Sequence, residues 1–159
     1  MMTAAEKTEA AARTEGGRKR TVNLLARAET QELLAAWDAL AVQPGVQPVR
    51  GPETGLVMVR GRIGGGGAPF NLGEVTVTRA TVRLASGSVG HAQALGTDRE
   101  KARLSAIFDA LWQEEATRDF VEDKLLSPIA RRIADDINRK AEEAAATRVD
   151  FFTMVRGED

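Results

Sequence analysis

Arg79 and Arg83 stand four residues apart with Thr81 between them, inside the strand-like stretch Glu74 to Leu84. On an intact pleat these alternate residues share one face. A guanidinium fork matches a tetrahedral oxyanion two donors at a time, so the pair is a candidate contact for phosphate or phosphonate. The same spacing suits a solvent-facing strand whose arginine stems cover apolar surface. Glu53 and Glu74 are carboxylates that could pair with these arginines or simply face water. Upstream runs Gly64 to Gly67, four glycines in a row. Glycine-rich loops cradle phosphates when their N–H groups converge at a helix N-terminus, and Gly65 and Gly66 are the candidates here. Yet the run joins two strand-like segments, and the Lys-Ser/Thr ending of a Walker loop is missing. A flexible hairpin connection is the plainer reading. Together, the loop and the two arginines would serve a stand-alone phosphonate- or nucleotide-binding protein.

The remaining inventory is thin. The chain has 159 residues with no cysteine, no tyrosine and one histidine. Disulfides, thiolate metal sites and Cys nucleophiles are therefore excluded, and no multi-His metal centre is possible. His91 lies between Gly90 and Ala92, which offer it no partner, so it reads as a hydrogen-bonded or exposed strand residue before a general base. No carboxylate pair with defensible geometry appears, and we assign no catalytic or metal-binding residue. Lys and Arg total 22 against 23 Asp and Glu, a formal net charge of −1. That balance speaks against a nucleic-acid binder, even with the basic cluster Arg18, Lys19 and Arg20. No apolar run spans a bilayer, and the N-terminus lacks the apolar core of a signal peptide. A soluble cytoplasmic protein is expected.

Residues 1–20 contain no Val, Ile, Leu or Phe and read as a disordered, solvated tail, leaving 21–159 as one domain. From Val22 the pattern is helical. Leu24, Leu25 and Ala28 start an apolar stripe, and Leu33, Leu34, Trp37 and Leu40 continue it in a second piece capped at Thr30. Pro44 and Gly45 stop it. Between about Glu53 and Leu95 the period becomes that of strands, Leu56 to Arg60, Glu74 to Leu84, and a third holding Val89, Gln93 and Leu95. The second changes apolar phase between Val77 and Ala80, which predicts a bulge near Thr78 or Arg79. Thr97 and Glu100 have capping-box spacing before a helix with Leu104, Ile107, Phe108 and Leu111 on one face. A short piece follows near Phe120 to Leu126. Ser127 and Pro128 then open a last helix whose stripe is Ile129, Ile133 and Ile137. The expected fold is α+β: an antiparallel β-meander packed with N- and C-terminal helices.

The chain ends in a dense apolar cluster, Val149, Phe151, Phe152, Met154 and Val155. Burying one such side chain is worth about 1.5–3 kcal/mol, so the segment should pack on something. A final strand on its own sheet and an arm into a partner are both open; Phe151, Phe152 and Met154 are the candidate partner contacts.

Three strings resemble one family closely. They are Glu53-Thr54-Gly55-Leu56-Val57-Met58-Val59, the segment Gly73 to Leu84, and the ending Arg148-Val149-Asp150-Phe151-Phe152-Thr153-Met154-Val155-Arg156-Gly157. The chain is similar over residues 21–158 to the PhnG family of the bacterial carbon–phosphorus lyase system. That resemblance implies a subunit of a multisubunit core complex with PhnH-, PhnI- and PhnJ-like partners. It implies a transferase step in which an alkylphosphonate displaces adenine from MgATP, giving a ribose 1-phosphonate 5-triphosphate. MgATP is then a substrate of the complex, and no cofactor is expected on this chain. The chemistry is usually placed on the PhnI-type partner, which would leave this chain a supporting role. The later radical step belongs to an iron–sulfur subunit, consistent with a cysteine-free chain. The unbroken four-glycine run and the extension before Thr21 depart from the family pattern.

Overall fold

A computed structural model describes residues 4–62 and 66–147. The order is α1 (Ala4–Arg27), α2 (Thr30–Asp38), β1 (Val46–Gly61), β2 (Phe70–Leu84), β3 (Val89–Leu95), α3 (Arg99–Gln113), α4 (Glu115–Val121), a π-helical turn (Glu122–Leu126) and α5 (Ser127–Ala146). The three strands form one antiparallel sheet in the order β1-β2-β3. This is the expected α+β meander with helices before and after it.

Helix α3 is the centre of the molecule. Its apolar face, Leu104, Ile107, Phe108 and Leu111, is fully or almost fully buried, and so is nearly everything else from Ala102 to Trp112. It shares one buried core with Ala80, Val82 and Leu84 of β2 and with Leu25, Leu33, Val121, Leu125 and Ile129 from the other helices. Gly90 sets how closely β3 approaches α3. A Cβ there would collide with the carbonyl oxygen of Ala106 and lie 2.6 Å from the backbone nitrogen of Ala110.

The structure corrects several expectations. The segment read as a tail is helical from Ala4, and Arg18 and Arg20 are docked rather than solvated. Alanine-rich sequence is intrinsically helical even without large apolar residues. The N-cap of α2 is Glu29, whose N–H donates to Glu32 Oε2 at 2.7 Å; Thr30 instead donates its hydroxyl to Asp98 Oδ2 at 2.6 Å. Asp98, not Thr97, caps α3 by accepting the N–H of Lys101 at 2.9 Å.

The predicted bulge in β2 is absent. Pairing on both sides runs without a shift through Thr78 and Arg79. The apparent slip arises because Thr78 itself takes the inward position, donating to the Gly96 carbonyl at 2.7 Å and bonding Thr54 at 2.9 Å. Val77 is buried on the opposite face, where it shares a groove with Val22 and Ala26 of α1. The register shifts nearest this region lie between Pro48 and Arg50 and between Arg50 and Glu53, each adding residues on β1. Prolines are tolerated there because β1 is an edge strand. That is also why the sheet begins at Val46 rather than near Glu53.

Ser127 does not cap a new helix. Pro128 offers no N–H and crowds the carbonyl four residues back, and the backbone passes it by widening into the π turn. The stripe on α5 is buried only at its start: Ile129 is fully buried, Ile133 packs partly on the core, and Ile137 is 58% exposed. Arg132 on α5 binds Glu32 on α2 at 2.8 Å, more closely than its i,i+4 neighbour Asp136 at 3.9 Å. Among the described residues no helix is long and apolar enough to cross a membrane.

Candidate functional site: a basic cavity between α1 and the sheet

The sheet face opposite α3 carries two cross-strand rows. Register places Arg50 beside Thr81 and Thr81 beside His91; the next row places Glu53 beside Arg79 and Arg79 beside Gln93. Helix α1 adds Arg18, Lys19, Val22 and Asn23, consecutive or one turn apart on one helical face. Together they enclose an open cavity of about 700 Å³, walled by these α1 residues and by Arg50, Arg79 and His91. Among the described residues, four basic side chains line it against one carboxylate, Asp109.

Asp109 anchors the wall. It is 0% exposed and accepts Arg18 Nε at 3.1 Å and Nη2 at 2.8 Å. Its Oδ2 also accepts the backbone N–H of His91 at 2.8 Å. One buried carboxylate thus ties α1 to the edge of β3 from inside α3. The hydrogen bonds that Arg18 donates to Asp109 raise its pKa above the ordinary arginine value against the opposing pull of burial, so the guanidinium is held charged. Arg20 reinforces the dock, its Nη1 donating to both oxygens of Glu122 at 2.9 and 3.1 Å, and Trp112 Nε1 donates to the same carboxylate at 2.8 Å. Gly17 is the point of closest approach, since a Cβ there would stand 2.9 Å from the Trp112 ring.

The other cations are less committed. Arg50 lies 3.3 Å and Arg79 3.9 Å from Glu53, and all three side chains are about half exposed. His91 Nδ1 bonds Thr81 Oγ1 at 3.1 Å at the exposed surface. Among the described residues no carboxylate stands behind that hydroxyl–imidazole pair, so they do not supply the third member that orients a nucleophile and its base. No three His, Cys, Asp or Glu side chains cluster as a metal site among the described residues.

Of the residues singled out from sequence, the structure brings Arg79, His91, Arg18 and Lys19 into one cavity. Arg83 faces the same way as Arg79 but lines a separate groove with Gln47 and Leu84. Gly66 sits in the hairpin connection with nothing within 4 Å of where its Cβ would be, and it does not line the cavity. Gly65, Phe151, Phe152 and Met154 lie outside the described residues. Sequence reasoning missed Asp109 and Arg50. Asp109 had a readable signal, being the only charge between Leu104 and Trp112. Arg50 had none, because the strand that carries it was not expected to start so early.

All the residues that form the cavity fall within residues 16–157, the span matched by the family model described as phosphonate metabolism protein PhnG. A relative from Rhizobium meliloti (strain 1021) is 66% identical over 142 residues, covering 89% of this chain and 90% of that protein. It is described as alpha-D-ribose 1-methylphosphonate 5-triphosphate synthase subunit PhnG. On a match of that extent, running through every element from the docked end of α1 to beyond α5, the chain belongs to the PhnG family.

Proposed function

We propose that this chain is a subunit of an alpha-D-ribose 1-methylphosphonate 5-triphosphate synthase in phosphonate metabolism, and that it supports the reaction without making the new bond. The observation that carries the assignment is the 66% identity to the Rhizobium meliloti subunit across nine-tenths of both chains. The step is displacement of adenine from MgATP by an alkylphosphonate, with the chemistry on a PhnI-like partner and PhnH- and PhnJ-like chains completing the assembly. The site geometry supports the division of labour. The cavity's carboxylate is already paired with Arg18, and its imidazole bonds a hydroxyl alone among the described residues.

The surface supports a partner-bound chain. Strand β3 pairs with β2 only from Val77 to Arg83, so the β1–β2 ribbon runs on past it. The projecting part exposes Leu56, Met58, Phe70 and Leu72. A bare two-stranded ribbon is marginal in water, and clustered exposed apolar side chains mark interaction surfaces. A neighbouring subunit is the occupant we assign to it, together with the apolar end of the chain at Phe151, Phe152 and Met154.

Co-expression with the partner subunits tests this reading. The full chain is expected to co-purify in fixed stoichiometry, and a chain ending at Arg148 is expected to be lost from the complex. If the isolated protein is a monodisperse monomer that consumes MgATP and alkylphosphonate unaided, it is a stand-alone enzyme and the proposal fails.

A further inference from the structure

We infer that the cavity between α1 and the sheet is a binding site for a small organic anion bearing phosphate or phosphonate groups. The inference goes beyond the subunit assignment, which is silent on whether this chain touches any ligand. Arg18, Lys19, Arg50 and Arg79 come from three separate elements and converge on one concavity. Arg18 is fixed by Asp109, so one wall of the site is preorganised and loses little freedom when an anion arrives. Val22, Ala80 and Ala92 give the cavity apolar lining, and Asn23 and Gln93 add neutral hydrogen-bonding groups. Cationic groups over an apolar base suit an organic phosphate or phosphonate better than a bare inorganic ion. The volume, about 700 Å³, lies within the usual range for small-molecule sites.

Glu53 has a specific place in this proposal. It holds Arg50 at 3.3 Å and Arg79 at 3.9 Å, so within the folded chain it occupies the two guanidinium groups that an incoming anion needs. An arriving phospho-anion competes with an internal carboxylate. Removing that carboxylate therefore tightens binding, whereas removing either arginine weakens it. Nonspecific attraction to a basic surface would respond to charge alone, wherever the charge lies.

Calorimetric titration of the full-length chain, purified alone or with its co-expressed partners, tests the site. The probes are ATP without magnesium, inorganic tripolyphosphate and a hexaglutamate peptide at physiological salt. ATP is expected to bind with a Kd below roughly 1 mM and more tightly than tripolyphosphate. Arg79→Ala is expected to weaken it by about tenfold, the loss of one charge-assisted bidentate contact, and Glu53→Gln to tighten it by about threefold. Arg83→Ala, on the same face but outside the cavity, should leave the Kd within about twofold. Absence of saturable binding by both phospho-anions overturns the proposal. Equal loss in the Arg79 and Arg83 variants overturns it too, since binding would then be diffuse. Tighter binding of hexaglutamate than of ATP would make the cavity a seat for an acidic protein segment instead. Thermal denaturation of each variant shows whether it is folded, and Arg79 and Glu53 are exposed enough for both to be substituted without touching the core. Co-purification with the partners is scored in the same samples, so a failed ligand site and a failed subunit assignment give different results.

Discussion

Asp109 decides the local energetics of the cavity. It is a fully buried carboxylate, satisfied by two bonds from Arg18 and one from the His91 N–H. Removing one partner of a buried pair strands the other charge. Arg18→Met should therefore cost about 3 kcal/mol, the low end of the range for such pairs because the Arg18 side chain still reaches water. Asp109→Leu should cost a similar amount, since it leaves the arginine and the His91 N–H without an acceptor. The double variant should be less destabilised than the sum of the singles by at least about 1 kcal/mol, as expected of contacting residues. Urea denaturation of the four proteins measures this; additive losses would show that the pair does not couple. This interaction also marks the limit of sequence reading at this scale. A lone charge in an apolar helix signals a buried partner, but nothing in the sequence says that the partner is Arg18, ninety-one positions away.

At the scale of elements, what was legible followed from periodicity. The apolar face of α3 and the three strands of the meander could be read because a buried face must repeat at 3.6 or at 2 residues. What was lost had tertiary causes. Alanine-rich α1 has no apolar stripe over its first turns and is held by ion pairs and by Gly17 against Trp112. β1 hides its start behind Pro48 and Pro52. The joint between α1, α2 and α5 was also invisible, and it carries a pH dependence. Arg132 on α5 reaches Glu32 at 2.8 and 2.9 Å and the Arg27 carbonyl at 3.0 Å. Burial pushes the Glu32 pKa up, but the bonds from Arg132 and from the Glu29 N–H outweigh it, and the net shift is below the ordinary 4.5. Asp98 is likewise held below its ordinary 3.8, first by the Lys101 N–H and then by the Thr30 hydroxyl. Both groups have a lower pKa folded than unfolded. Their contribution is therefore complete above about pH 5 and drains away as pH falls through the native values. Arg132→Gln should cost about 1 kcal/mol at neutral pH, a modest figure because the joint is partly exposed. The gap from the unaltered protein should close as pH drops below 4.5. Chemical denaturation at several pH values reads this directly, and a gap that stays constant down to roughly pH 3 would place the Arg132 effect outside its carboxylate partners.

For the whole molecule, the division between what packs inward and what does not argues for a chain completed by others. The core around α3 is closed, and none of its buried side-chain polar atoms lacks a partner among the described residues. Two features extend from that core with apolar side chains in water: the β1–β2 ribbon and the later turns of α5. A chain selected only for its own stability gains nothing from keeping Leu56 64% and Leu72 60% exposed on one projecting hairpin. Their energetic return must come from association. The double variant Leu56→Glu with Leu72→Glu should change the stability of the isolated chain by less than about 0.5 kcal/mol, because neither side chain belongs to the core. The same variant should lose stoichiometric co-purification, since a buried apolar contact turned into two carboxylates costs several kcal/mol at an interface. Retention of the full complex by a variant of unaltered stability would move the assembly surface away from the ribbon, leaving α5 and the chain end to hold the partners.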